Sequence, residues 1–517
     1  MTRAESPPLR PSGARLDWLG FRLALTLSLI SLLWSTALIT NFSFELIGPE
    51  KLGLVFNDMA SRLLHLDWTI DPDLISFEAF VRDGRTYTYF GIFPALLRMP
   101  AIVFGWGAYP LARLSCLLAL WTVTFATLRM TQFALGSTLR TPAARRLAAA
   151  ALLGSSFSGP VIYVLASASI YHEAIFWAGA FTAIFNAVAV RGLSTGRLLS
   201  TKILTLLALV AGCALLTRLT AGIVLYGGLA LLLAWPTVSA FAQDGPRSGT
   251  HKFLTALRQA PPALVIMAAF CAAQAIVNYG RWGSPYIGFP LQYYRQAILD
   301  PRRDERLASF ARHGALDFVR IPFAALHYGF GLKVDVLFPS ILIEHFDGIE
   351  GPRLAAVLCV PWMIVCAAVA LWSICRHSKL FSPIVPLILA NGFGFLVMLS
   401  IPWLCLRYTF DGWGFVSLAA ALGTKSLAHR ADSLGGTAGA ATRRVGQAAI
   451  IMTVFGILVS DATLLRYKIN YSGTAPAVRY WLSAKIQPML CPNAPLTPNL
   501  RLTDFMPLVT PRCPPLW

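Results

Sequence analysis

The 517-residue chain is short of charge, and above all of acid: 24 Asp and Glu stand against 43 Lys and Arg, 13% charged in all. Soluble domains carry roughly a quarter of their residues as charge, and 56% of this chain is hydrophobic, so an ordinary soluble protein is excluded. Its nine cysteines include no CxxC pair and no Cys/His cluster at zinc spacing, which excludes a zinc ribbon or a dithiol redox centre. Alternating apolar segments of about ten residues, the mark of a membrane β-barrel, are also missing. No internal repeat stands out, and the centres of the apolar runs are nearly free of charge. A transporter or flippase for a lipid-linked or polar solute would call for both features and is the weaker of two functional readings. No cleavable signal peptide is evident: residues 1–18 are polar, basic and Pro-rich, and the run after them is long enough to read as a signal anchor.

What the chain does have is a series of apolar runs of about twenty residues, which predicts an all-α, polytopic membrane protein. Candidate spans are 21–40, 109–130, 147–165, 174–190, 203–216, 221–241, 263–277, 354–374, 380–404, 414–423 and 448–465, about eleven in all. The apolar piece 91–106 contains Pro94, Arg98 and Pro100 and is short. It reads as a juxtamembrane or re-entrant element, because broken backbone at membrane depth must be buried or line a cavity. The expected domains are a cytoplasmic tail over 1–20, a membrane domain over 21–466 with long outer loops at 41–108 and 278–353, and a short tail over 467–517.

Positive charge sets the orientation. Arg140, Arg145 and Arg146; Arg191, Arg197 and Lys202; Arg247, Lys252 and Arg258; Arg376 and Lys379; and Lys425, Arg430, Arg443 and Arg444 all fall in alternate loops. By the positive-inside rule these loops and the N-terminus are cytoplasmic, and the C-terminus is extracytoplasmic. The net charge of +19 is then a property of a membrane surface and not of a nucleic-acid partner. Seven cysteines lie in or beside apolar runs. Cys491 and Cys513 sit in the tail, where an oxidising compartment permits a disulfide worth roughly 3 kcal/mol for a loop of about twenty residues.

The acids are concentrated where the membrane is not. Asp58, Asp67, Asp71, Asp73, Glu78 and Asp83, six of the 24, fall within 56–100, interleaved with Arg82, Arg85, Arg98, Tyr87, Tyr89, Phe90 and Phe93. Four more polar places fall on the same predicted face: Tyr171-His172-Glu173, Arg218, Asn278 to Pro285 with Arg281, and Arg407-Tyr408 with Asp411. A carboxylate within hydrogen-bond reach activates a hydroxyl, and arginines grip phosphate in two-pronged fashion. Together these residues suit a sugar phosphate presented on a lipid. Each has a plainer reading: Glu173 and His172 as a helix-capping pair, Arg407 and Asp411 as an i, i+4 ion pair, Arg218 as a snorkelling cation, and Gly283-Ser284-Pro285 as a turn. Asp71-Pro72-Asp73 is a weak motif for a divalent cation; no cofactor is predicted, and the residues leave a metal requirement open.

The order of these motifs resembles the GT-C-type membrane glycosyltransferases of bacteria that use polyprenyl-phosphate sugars. The matching segments are Asp83-Gly84-Arg85-Thr86-Tyr87, then Phe90-Gly91-Ile92-Phe93-Pro94-Ala95-Leu96-Leu97-Arg98-Met99-Pro100, Thr217 to Gly222, Tyr279 to Pro285, and Arg407-Tyr408-Thr409-Phe410-Asp411. The resemblance covers about residues 20–425. It implies a GT-C-like fold with juxtamembrane helices in the first outer loop, a multi-pass protein of the bacterial inner membrane, a polyprenyl-phosphate-linked hexosyl or pentosyl donor, and a glycan or lipid acceptor. Asp58 is taken as the base, with Asp83 or Glu173 as alternatives, and Arg85, Tyr87, His172, Arg218, Arg281, Arg407, Tyr408 and Asp411 as substrate-binding residues. The family usually places an acid soon after its first span. Here Glu45 is the nearest and Asp58 comes later, so the choice of base stays open.

Overall fold

A computed structural model describes residues 14–470, apart from 137–138, 140, 245, 287, 296–302, 351–352, 377–381 and 434–438. Cys491 and Cys513, with the rest of the chain beyond 470, lie outside the described residues. Each predicted span overlaps a helix among the described residues, although 380–404 runs on into a strand at Trp403–Cys405. These helices are α1 (Ala14–Ile39), α2 (Ala112–Leu135), α3 (Pro142–Phe157), α4 (Ile170–Ser194), α5 (Thr201–Thr217), α6 (Leu219–Asp244), α7 (Pro261–Trp282), α8 (Pro361–Arg376), α9 (Val385–Ser400), α10 (Trp413–Ser433) and α11 (Gly439–Asn470). Among the described residues, α1, α2, α3 with its continuation to Ala166, α4, α6, α7 and α11 are long and apolar enough to cross a membrane. α5, α8 and α9 are apolar but shorter, at 16 or 17 residues. The protein is a multi-pass helical membrane protein.

Packing follows the small residues. α2 and α4 lie along one another, as do α8 and α10, α5 and α7, and α3 and α11, while α6 bridges α5 and α9. In lipid there is little hydrophobic gain between helices, so close approach and buried polar pairs hold the bundle. Asn186 of α4 and Asn391 of α9 supply such a pair: each amide nitrogen donates to the other's carbonyl oxygen, at 3.0 and 2.9 Å.

The first long loop is not loose. It folds into a helix at Val55–Leu63, a hairpin of β1 (Phe80–Arg82) and β2 (Arg85–Tyr87), and the helix Phe93–Val103, which packs on the first. Their apolar faces form a separate small core around Val55, Phe56, Ile75, Phe90 and Ala95, joined by Ile170 and Ala174 from α4 and Leu216 from α5. The second long loop contributes helices Arg303–His313, Arg320–Phe330 and Pro339–His345, and β3 (Gly348–Glu350). β3 pairs in parallel with β4 (Trp403–Cys405), just after α9. Both loops therefore sit against the bundle end that carries Arg218 and Arg407.

Candidate functional site

The three candidate bases sit in three different environments. Asp58 lies on the Val55–Leu63 helix and takes the Arg62 Nε at 2.9 Å, while Oδ2 also accepts the backbone N–H of Asp71 at 2.8 Å. Arg62 reaches on to Asp67, and Thr69 bonds Asp67 in turn, so Asp58 belongs to a network that ties the loop to its own helix. Asp83 occupies the hairpin turn at φ +51°, followed by Gly84 at φ +71°. That is the Asp-Gly pair a two-residue primed turn demands, and its carboxylate is 80% exposed beside Arg82. Glu173 is buried in α4 and paired with Arg98 at 2.5 Å; Arg98 also donates to Asn57 Oδ1 at 2.5 Å and Gly53 O at 3.2 Å.

The candidate binding residues divide likewise. Tyr87 packs its ring on Trp282, with centroids 5.8 Å apart, and Arg85 is exposed. Arg281 is buried and donates to Phe90 O at 2.8 Å. His172 is buried with Nδ1 2.7 Å from Ser169 Oγ. Asp71 caps the short helix Pro72–Ile75 by accepting from the Asp73 N–H at 2.9 Å. Tyr87, Arg281, His172 and Asp71 thus make structural contacts.

Arg218, Arg407, Tyr408 and Asp411, by contrast, converge. Arg407 acts on Asp411 as a neighbouring charge, and each has another partner. Arg218, at the junction of α5 and α6, donates to Asp411 Oδ1 at 2.8 Å; Arg407 pairs with Glu350 at the end of β3. The Arg407 guanidinium also lies over the rings of Tyr171 and Tyr408, 4.7 and 5.4 Å from their centroids. Glu78 completes the cluster. It is buried, accepts from Tyr294 Oη at 3.0 Å and from Tyr171, and feels both Arg407 and Lys51. Burial raises the Glu78 carboxyl above its ordinary value even so, and it raises Asp411 against the pull of Arg218 and Arg407. Burial lowers Lys51, with Glu350 and Glu78 opposing the change.

Three cations, Lys51, Arg218 and Arg407, are thus held among three carboxylates, Glu78, Glu350 and Asp411. Gly91 permits the assembly: a Cβ there would meet the carbonyl oxygens of Thr217 and Leu216, so the Phe90-Gly91 turn presses directly on the end of α5 that presents Arg218. Below the cluster a cavity of about 110 Å³ opens between α4, α6, α9 and α10. Arg218, Tyr408 and Asp411 line its polar end, and Gly179, Val224, Val397 and Phe410 line its apolar walls. An anion bound there would exchange carboxylate partners for its own oxygens, with an apolar slot for whatever it is attached to.

Lys51, Glu78, Tyr294 and Glu350 were not singled out by sequence reasoning. Glu78 is only one acid of the first loop, and its neighbours Phe77 and Ala79 do not set it apart from Asp67, between Leu66 and Trp68, or Asp73, between Pro72 and Leu74. Lys51 and Glu350 carry no signal, because only the folded loops bring them near Arg407.

No protein-family model matches the sequence, and no curated protein matches it either. Among solved structures the chain is similar in fold to the archaeal oligosaccharyltransferase AglB from Archaeoglobus fulgidus in complex with an inhibitory peptide and a dolichol-phosphate. The two share 13% identity over 90% of this chain and 59% of that one, with a TM-score of 0.47. It is also similar to the Archaeoglobus fulgidus oligosaccharyltransferase tethered to an acceptor peptide containing the NVT sequon, at 12% identity over 90% and 59% of the two chains and a TM-score of 0.46. The apo form gives 13% identity, 90% and 60% coverage and a TM-score of 0.44. The chain spans 59–60% of the length of these neighbours.

Proposed function

We propose that the protein is a membrane glycosyltransferase of GT-C type that moves a sugar from a polyprenyl-phosphate donor to a glycan or lipid acceptor. The observation that carries the reading is the Arg218–Asp411 pair lining the polar end of a cavity with apolar walls, with Arg407 beside it over Tyr408. The donor phosphate takes Arg218 and Arg407 as charge-assisted partners, and its isoprenoid chain enters the slot between α4, α6, α9 and α10. Phosphate binding releases Asp411 from Arg218. The freed carboxylate then accepts the acceptor hydroxyl proton as that oxygen attacks the anomeric carbon. The anomeric C–O bond breaks with its electron pair going to the phosphate, whose charge the arginines stabilise. A phosphate leaving group needs no proton, so one base and fixed cations suffice. In this reading the site faces the extracytoplasmic side of a bacterial inner membrane, with the N-terminus cytoplasmic.

Asp411 takes the role assigned from sequence to Asp58 because both Asp58 oxygens already serve Arg62 and the Asp71 N–H. The test compares the two in membranes with matched protein levels and a polyprenyl-phosphate sugar as donor. Asp411→Asn should lower turnover by roughly 10²–10⁴-fold, the usual contribution of a positioned base. Arg218→Ala should weaken donor binding instead, and Asp58→Asn should leave turnover near wild type. Loss of turnover in Asp58→Asn with Asp411→Asn fully active would return the base to Asp58.

A further inference from the structure

We infer that His313, Asp317 and His345 form a transition-metal site, suited to Zn2+, that clips the second long loop together. His313 closes the helix Arg303–His313, Asp317 lies in the turn before Arg320–Phe330, and His345 ends Pro339–His345. Their ligand atoms all lie within 4.8 Å of one another. The Asp317 Oδ2 is 2.7 Å from His345 Nδ1 and 3.4 Å from His313 Nδ1. Ligand atoms around a tetrahedral zinc stand roughly 3.3 Å apart, given bonds of about 2.0–2.2 Å. The His313 contact matches that spacing, and the His345 contact needs to open by about half an ångström. All three side chains are largely shielded, at 11–18% exposure. Two imidazoles and a carboxylate with a fourth position for water is a donor set zinc accepts.

The surroundings hold the ligands in place. Asp317 Oδ1 is occupied by the Val319 N–H at 2.9 Å, which leaves Oδ2 turned to the imidazoles. Both histidines present Nδ1 to it, and the buried Nε2 of His313 has no hydrogen-bond partner among the described residues. The fully buried Arg320 donates to the carbonyls of His345, Ser400 and Gly314 and so clamps the backbone around the site. Its charge acts on Asp317 and opposes a cation, but its hydrogen bonds go to carbonyl oxygens. The site has a mechanical consequence. β3 begins three residues after His345, and β3 ends on Glu350, the partner of Arg407. A metal at His345 therefore anchors the strand that holds Glu350 in the cluster. The inference stands whatever reaction that cluster performs.

The test uses the purified full chain in detergent after EDTA treatment. Wild type should bind one equivalent of Zn2+ by calorimetry, melt at a higher temperature with zinc than with EDTA, and give the intense visible bands of a tetrahedral site with Co2+. His345→Ala and His313→Gln should each weaken zinc binding by roughly 100-fold or more, since loss of a mere supporting partner already costs about 10–100-fold. Both should lose the cobalt bands and the zinc-dependent rise in melting temperature. If His345→Ala fails to fold in EDTA, His313→Gln alone decides, because its side chain sits at a helix end. No saturable binding by wild type, or unchanged binding in His313→Gln, would overturn the site.

Discussion

Glu173→Gln separates an architectural carboxylate from a catalytic one. Glu173 and Arg98 are 1% and 3% exposed and 2.5 Å apart. Neutralising one partner of a buried pair leaves the other charge uncompensated, which costs about 3–5 kcal/mol. Arg98 keeps two further acceptors, Asn57 Oδ1 and Gly53 O, so the expected loss falls at the lower end, about 3 kcal/mol. That loss should appear as a lower unfolding midpoint in detergent, followed by tryptophan fluorescence, with turnover per folded molecule retained. Replacing both partners by apolar residues, Arg98→Met with Glu173→Leu, should recover most of the stability, because well-packed hydrophobic replacements of buried pairs are often neutral or better. A Glu173→Gln protein that melts like wild type yet has lost turnover would refute this reasoning. Glu173 would then be the proton acceptor.

Two further outcomes follow from burial. The carboxyl of Glu78 is raised above its ordinary 4.5 by burial; a raised folded-state value means that its contribution to stability is complete below that value and is lost as pH climbs through the folded one. Relative to Glu78→Gln, wild type should therefore lose stability from pH 4.5 upward, and parallel slopes in a pH series of unfolding midpoints would contradict the assignment. Gly423→Ala should disrupt the contact of α10 with α8, since a Cβ there would lie 1.8 Å from the Cys366 carbonyl oxygen. Overpacking of this kind costs about 1–3 kcal/mol or more, and a wild-type midpoint for that variant would show the two helices to be farther apart.

How much of this was legible depended on sequence distance. Each apolar run overlaps a helix because twenty apolar residues in a membrane have one satisfactory backbone conformation. The run 91–106, expected to form a short juxtamembrane or re-entrant element, holds the 11-residue helix Phe93–Val103 with Pro100 inside it. The Asp83-Gly84 pair, read as a family motif, is in the structure a turn whose positive φ values select those residues. Pairing was harder. Arg407 and Asp411 are four apart, which predicts an i, i+4 bridge, yet they lie where a short 3-10 stretch, Leu406–Phe410, gives way to α10. There the helical spacing does not apply. Arg407 turned to Glu350 and Arg218 to Asp411, contacts spanning 57 and 193 residues that no local pattern encodes.

The same difference separates the acids of the first loop, which mostly serve one another's network, from those of the proposed cluster. An acid-rich loop near a membrane must satisfy its own carboxylates before it can serve a ligand. Asp58, Asp67 and Asp71 are engaged by Arg62, Thr69 and the helix cap at Pro72. The carboxylates of the cluster are contributed singly by separate segments, Glu78 from the first loop, Glu350 from the second and Asp411 from the turn before α10, as Glu173 of α4 is for Arg98. A site for a multiply charged ligand arises where such segments meet, because no single segment can hold several like charges together without partners of its own.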